Sequence, residues 1–140
     1  IVTMGSSVEK EARVPAERPI IGAVYYNRLK DGMLLQADPT IQYALGRHTE
    51  RVLYRDLTID SPYNTYLHAG LPPGPIASPG GASLRAALAP ANVPYLYFVA
   101  APDGHHEFRT SLAAHEQAKR AIKAERGAES GPRSKVSRGK

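Results

Sequence analysis

The sequence contains no cysteine, so disulfides, thiol catalysis and cysteine zinc sites are excluded. Compartment stays open, because exported proteins can also lack cysteine. No apolar run approaches the roughly 20 residues that a membrane-spanning helix requires. No secretory signal is visible. The chain opens on Ile1-Val2-Thr3, already inside an apolar pattern. We therefore expect a fragment of a longer protein, with any targeting segment upstream. Histidines stand at positions 48, 68, 105, 106 and 115, but none falls in an HExxH or other metal-ligand spacing. Nothing calls for a metal or organic cofactor. A nucleophile elbow for a Ser/His/Asp triad is missing, as is a glycine-rich phosphate loop behind a strand. The alternating βαβ pattern of a nucleotide-binding sheet is missing too.

What is present suits one soluble domain. The chain has 140 residues, 42% of them hydrophobic, enough for a single core. Net charge is +5, unevenly spread. Residues 127–140 carry Arg133, Lys135, Arg138 and Lys140 against Glu129, which leaves only a small excess on the body. A polyanion-binding body is normally more basic, so no nucleic-acid partner is expected. The Gly-, Ser-, Lys- and Arg-rich stretch 127–140 is expected to be a disordered basic tail behind a domain at 1–126.

Periodicity sketches the elements. Ile1, Met4, Val8 and Ala12 predict a helix over 1–14, ended by Pro15. Pro19 opens a second helix with Ile20, Ile21, Val24, Tyr25 and Leu29 as its apolar face, closed by Gly32. Asp38 reads as an N-cap before Pro39, with a short helix running to Leu45 and stopping at Gly46. Val52, Tyr54, Leu57 and Ile59 hint at short extended pieces within 51–60. Residues 61–80, punctuated by Pro62, Pro72, Pro73, Pro75 and Pro79, form a long irregular segment of the kind that is often functional. A short helix over 82–89, a strand over 95–100, a turn at Asp103-Gly104, a returning strand at 107–109 and a helix over 112–126 complete the reading. The expected class is α+β, mainly helical, with a small β-hairpin and long ordered loops.

Candidate chemistry begins with three glutamates, Glu9, Glu11 and Glu17. Residues two apart on a helix point to nearly opposite sides, so Glu9 and Glu11 cannot share a cleft. Met4, Val8 and Ile1 define the apolar face, and Glu11 lies at its edge while Glu9 turns toward solvent. A carboxyl beside apolar side chains holds its proton more readily and can serve as a general acid. The plain alternative is that both are solvated helix charges. The segment Ser61-Pro62-Tyr63-Asn64-Thr65-Tyr66 sets two aromatics around an amide and a hydroxyl, groups suited to sugar faces, ring hydroxyls and N-acetyl groups. It would serve equally as a turn packed on the core. Gln36 and Thr40 flank Asp38 without an evident structural duty, whereas Asp38 has one as the cap.

Together these motifs resemble the YceG-like (MltG) endolytic murein transglycosylases. The resemblance runs through Ser7-Val8-Glu9-Lys10-Glu11-Ala12, Ala16-Glu17-Arg18, Tyr26-Asn27-Arg28-Leu29, Gly32-Met33 and Leu35-Gln36-Ala37-Asp38-Pro39-Thr40. It continues through Tyr63-Asn64-Thr65-Tyr66, Gly70-Leu71-Pro72-Pro73-Gly74-Pro75-Ile76, Pro79-Gly80, Ala82-Ser83-Leu84 and Pro94-Tyr95-Leu96-Tyr97-Phe98-Val99. It covers about residues 5–120.

The resemblance implies a catalytic domain related to the lysozyme-like fold, with Glu11 as the catalytic residue. It implies Gln36, Asp38, Tyr63, Asn64 and Tyr66 as substrate-binding candidates. Glu11-Ala12-Arg13-Val14-Pro15-Ala16 also matches the glutamate-then-small-residue pattern of the wider transglycosylase group, with Ala12 where Ser or Thr is common. By the same resemblance, glycan strands of peptidoglycan are the substrate and cell-wall synthesis proteins are possible partners. A LysM-like region and a single membrane anchor would lie upstream, placing the domain on the extracytoplasmic face of the inner membrane. The implied reaction cleaves the bond between N-acetylmuramic acid and N-acetylglucosamine and leaves 1,6-anhydro ends. The alternatives are a non-catalytic glycan-binding module and, less favoured by the charge distribution, a nucleic-acid-binding protein.

Overall fold

The computed structural model describes residues 1–46 and 52–130; for 126–130 the backbone alone is described. Five α-helices and one hairpin appear in it: α1 (Val2–Glu11), α2 (Arg18–Lys30), α3 (Asp38–Leu45), α4 (Gly81–Leu88), β1 (Tyr97–Ala100), β2 (His106–Arg109) and α5 (Leu112–Ser130). The α+β class and the small sheet match the sequence reading. Two 3₁₀ turns, Pro15–Glu17 and Tyr54–Thr58, complete the elements.

Helix α1 stops because the chain turns extended at Ala12 (φ −75°, ψ 133°) and stays so at Val14 (φ −99°, ψ 117°), the conformation imposed on a residue before proline. Gly46 ends α3 in the left-handed region at φ 77°, where a side chain would strain. Several elements differ from expectation: α1 ends at Glu11 rather than at 14, β1 begins at Tyr97 rather than 95, and β2 begins at His106 rather than 107. Ala37, not Asp38, occupies the cap position of α3, and Asp38 is its first helical residue. The stretch 54–58, expected to be extended, winds into a 3₁₀ turn because the Leu53 amide donates to Asp56 Oδ2 at 2.9 Å. Helix α5 continues to Ser130, past the expected end at 126; residues 131–140 of the expected tail lie outside the described residues, as do 47–51.

The main core joins Met4 and Val8 of α1, Ile21, Val24 and Tyr25 of α2, Ala86 and Ala87 of α4, Leu35, Ala37 and Phe98. A smaller cluster, Ile41, Val52 and Leu57, lies under α3. Helix α4 lies close on both α1 and α2, and a glycine permits each approach. A Cβ at Gly5 would stand 3.3 Å from Leu84 Cδ2, and one at Gly22 would stand 3.2 Å from the Ala86 carbonyl oxygen. Since backbone cannot yield as a side-chain tip can, Gly22→Val should destabilise the fold by about 2 kcal/mol, measurable by urea unfolding; an unchanged midpoint would show that α2 and α4 can separate freely.

The hairpin pairs Tyr97 with Arg109, Phe98 with Phe108, Val99 with Glu107 and Ala100 with His106. Gly104 in its turn has φ 99°. Alternation along β2 sets His106 and Phe108 on one face and Glu107 on the other. Phe98 packs edge-on to Tyr25 at 5.8 Å and His106 reaches Glu11, so this face of the sheet meets the middle of α2 and the end of α1. On the hairpin's other flank, α5 buries His115, Ala118 and Ile122.

Candidate active site

Glu11 is the last residue of α1, and it looks across to β2. Its Oε2 stands 2.8 Å from His106 Nε2. The imidazole is clamped on its other side by Glu17, whose Oε1 is 2.9 Å from Nδ1. Both Glu17 oxygens also accept the His106 backbone N–H, at 3.1 Å each. The His106 side chain is only 1% exposed, whereas Glu11 and Glu17 retain 16% and 14%. Glu11 thus has its carboxyl at the edge of the core, reachable from outside, with a buried partner behind it.

Glu9 points elsewhere, as the helix geometry requires. Its Oε1 accepts from the Gly80 amide at 3.0 Å and from the Ser83 hydroxyl at 2.7 Å, which ties α1 to the start of α4. These bonds, the Gly80 amide foremost, hold its carboxyl below the usual range.

Burial works against a charge on His106, but the hydrogen bonds and negative charges of Glu11 and Glu17 outweigh it and raise the imidazole above its ordinary 6.5. A folded-state value above the unfolded one means that protonation favours the fold. That contribution is fully present below about pH 6.5 and is lost as pH rises through the folded value. The gap in melting temperature between the native chain and His106→Gln should therefore be widest near pH 6 and narrow on the alkaline side. Melts across this range that keep a constant gap would show that the imidazole does not titrate.

The expected sugar-binding residues fall in two stitched segments. The Gln36 amide donates to the Thr65 carbonyl at 3.2 Å, and the Ala37 amide to Thr65 Oγ1 at 2.9 Å. Thr40 and Thr65 share a hydroxyl contact of 2.8 Å, so Thr40 has the structural duty its sequence context did not reveal. Tyr66 donates its hydroxyl to Asp38 Oδ1 at 2.6 Å. The structure therefore brings Gln36, Asp38, Asn64 and Tyr66 together. Tyr63 packs instead against Tyr43, ring centroids 4.7 Å apart. Asn64 is fully buried. Its amide nitrogen donates to the Leu57 and Ile59 carbonyls at 3.0 and 2.9 Å, and its oxygen accepts the Tyr66 amide at 2.8 Å.

Tyr25 lies within electrostatic reach of both Glu11 and Asp38. Burial holds its hydroxyl in the neutral form, and the charges of Glu11 and Asp38 act in the same direction. This hydroxyl has no hydrogen-bond partner among the described residues. Beside it, Gln36 takes φ 50°, a strained value for a residue with a side chain. Arg28 backs it: Nη1 donates to the Leu34 carbonyl at 2.8 Å and reaches Gln36 Oε1 at 3.4 Å, while Nε donates to Leu96. Sequence reasoning missed Tyr25, Arg28 and His106. Tyr25 read as part of the apolar face of its helix, Arg28 stood only within a family-like segment, and His106 fell outside the returning strand expected at 107–109; alternation along the observed strand is the signal that turns it inward. No group of three or more His, Cys, Asp or Glu able to hold a metal ion occurs among the described residues.

A helix-end carboxyl backed by a buried histidine, together with a stitched pair of polar segments, marks the candidate site of this α+β domain. The chain belongs to the YceG-like family, which residues 1–121 match. It is 53% identical over 119 residues to the endolytic murein transglycosylase of Bacillus subtilis strain 168, covering 85% of this chain and 33% of that protein. It is 38% identical over 105 residues to the endolytic murein transglycosylase of Streptococcus pneumoniae D39, covering 71% and 19%. A crystal structure of a YceG-like protein from Listeria monocytogenes superposes with a TM-score of 0.80 at 49% identity, covering 83% of this chain and 38% of that one. The chain thus spans about a third of the Bacillus relative and about a fifth of the pneumococcal one.

Proposed function

We propose that this domain is a peptidoglycan lytic transglycosylase of the cell envelope, with Glu11 as its single acid and base. The observation that carries the reading is Glu11 itself, a partly exposed carboxyl at a helix end, locked against a buried imidazole. The relatives, endolytic murein transglycosylases by name, support the substrate class. The domain is also read as a distant version of the lysozyme-like fold, supported by an acid at a helix end facing a small sheet.

Glu11 protonates the glycosidic oxygen between N-acetylmuramic acid and N-acetylglucosamine, and an oxocarbenium-like centre develops at C1. Retaining glycosidases meet that centre with a second carboxylate. Here the substrate's own 2-acetamido group stabilises it. The Glu11 anion then removes the proton of the muramyl C6 hydroxyl, whose oxygen attacks C1 and closes the 1,6-anhydro ring. The C1–O bond to the leaving sugar breaks, a C1–O6 bond forms, and the proton lost by Glu11 returns, with no water consumed. Gln36, Asp38 and Tyr66 supply polar contacts to sugar hydroxyl and N-acetyl groups, Tyr63 with Tyr43 offers a ring face, and Asn64 frames the loop. Anchoring of a longer protein at the inner membrane, and contacts with cell-wall synthesis proteins, belong to the same reading; no described helix is long and apolar enough to cross a membrane.

Incubation with uncrosslinked glycan strands, followed by mass spectrometry, tests it. Anhydromuramyl ends, one water lighter than hydrolytic products, are expected. Ordinary reducing ends would make the domain a hydrolase, and binding without new ends would make it a glycan-binding module.

A further inference from the structure

A lone carboxylate that must act first as acid and then as base needs one oxygen kept in place throughout the cycle. Free rotation of the group would spoil the near-attack geometry on which proximity catalysis depends. The next residue, Ala12, has no hydroxyl to steady Glu11. The contact found instead comes from β2, where His106 Nε2 meets Oε2 at 2.8 Å. This imidazole has little freedom. Phe98 stands edge-on to it at 5.1 Å and Phe108 flanks it at 6.0 Å. Glu17 fixes it through both Nδ1 and the backbone amide. Since a carboxylate can only accept, Nδ1 carries a proton toward Glu17.

We propose that His106 is the positioning residue of Glu11, and that Glu17 is the anchor that fixes the orientation and proton of this imidazole. The inference rests on the reading of Glu11 as the acid. Occupied at Oε2, the carboxyl presents Oε1 to the glycosidic bond. When Glu11 gives up its proton, negative charge gathers on the group that His106 faces, and a preorganised N–H at Nε2 stabilises it without rearrangement. When the C6 hydroxyl returns the proton to Glu11, His106 keeps its own, so the imidazole ends each turnover as it began. The charged groups acting on it are Glu11 from α1 and Glu17 from the Pro15–Glu17 turn; the β1 and β2 neighbours are the two phenylalanine rings. Glu17, one of the three glutamates singled out in the sequence, is thereby given a supporting part.

The test compares His106→Gln, His106→Leu and Glu17→Gln with the native chain, by kcat and KM for anhydro-end formation across pH, with Glu11→Gln as control. Glutamine can place an amide N–H near the position of Nε2, so His106→Gln should keep more activity than His106→Leu. We expect kcat to fall about tenfold in His106→Gln and about 100-fold in His106→Leu. KM should stay within about twofold, because the substrate-facing groups are untouched. Glu17→Gln should fall about tenfold in kcat. The pH profile of kcat should change shape in the His106 variants, since a titrating neighbour of Glu11 has gone. If His106→Leu does not fold, His106→Gln and Glu17→Gln carry the same test. Native kcat in those two variants, with Glu11→Gln inactive, would overturn the inference and leave the acid assignment standing. Equal losses in His106→Gln and His106→Leu, tracking melting temperature with an unchanged pH profile, would also overturn it. Full activity of Glu11→Gln would sink the acid assignment instead.

Discussion

Glu11→Gln should reduce anhydromuramyl end formation by about 1,000-fold while the melting temperature stays within a few degrees. The amide keeps the size and a hydrogen-bonding group beside His106 Nε2, but it can neither deliver a proton to the glycosidic oxygen nor take one from the C6 hydroxyl. Both half-reactions stop together, because one group serves both. Glu9→Gln makes the informative contrast. It weakens the bonds to the Gly80 amide and the Ser83 hydroxyl, so its cost should appear as lost stability of the α1–α4 contact and only mildly in kcat. Anhydro-end counts on glycan strands, beside thermal melts, separate the two. A Glu11→Gln variant that retains native turnover would remove Glu11 from the chemistry, and an inactive but well-folded Glu9→Gln would put Glu9 in its place.

Much of this arrangement can be read from residue spacing, and what cannot shares a common cause. The helical repeat separates Glu9 from Glu11, but the apolar repeat of Met4 and Val8 does not show that Gly5, Ser6 and Ser7 are buried as well, nor that Glu9, expected to turn to solvent, bonds to the start of α4. Proline and glycine mark the ends: Pro15 behind α1, Gly46 behind α3 and Gly104 in the hairpin all act locally, so local sequence reveals them. The tie between Glu11 and His106 spans 95 positions, and that between Glu17 and His106 spans 89. No periodicity reports where a hairpin docks against a distant helix. The paired histidines at 105 and 106 illustrate the point. Alternation turns one outward, where Glu107 and then Asp103 raise it to about 8, and the other inward onto the acid; sequence alone shows two equal neighbours. The cap of α3 failed for a smaller reason. Asp38 and Ala37 are one residue apart, and helix ends are commonly shifted by that much, yet the shift gives the Asp38 carboxylate to Tyr66.

Asn64 separates two meanings of a polar residue in a sugar-suited loop. From sequence it is a candidate to meet an N-acetyl group, but its side chain is enclosed and its three bonds join residues 57, 59 and 66. Asn64→Asp should therefore cost about 4 kcal/mol of stability, because it turns a carboxylate toward two carbonyl oxygens in a buried place and removes both donors. Asn64→Ala should cost about 3 kcal/mol, leaving two acceptors and one donor without partners. In either variant the Tyr66 amide loses its tether or its surroundings, so the Tyr66–Asp38 pair should loosen and KM for glycan strands should rise severalfold, with kcat falling less. Urea unfolding and steady-state kinetics on the same preparations decide the matter. Loss of stability with a raised KM supports a framing role. Native stability together with a KM raised 100-fold would mean that Asn64 turns outward to grip the sugar itself, and that the loop is held by other bonds.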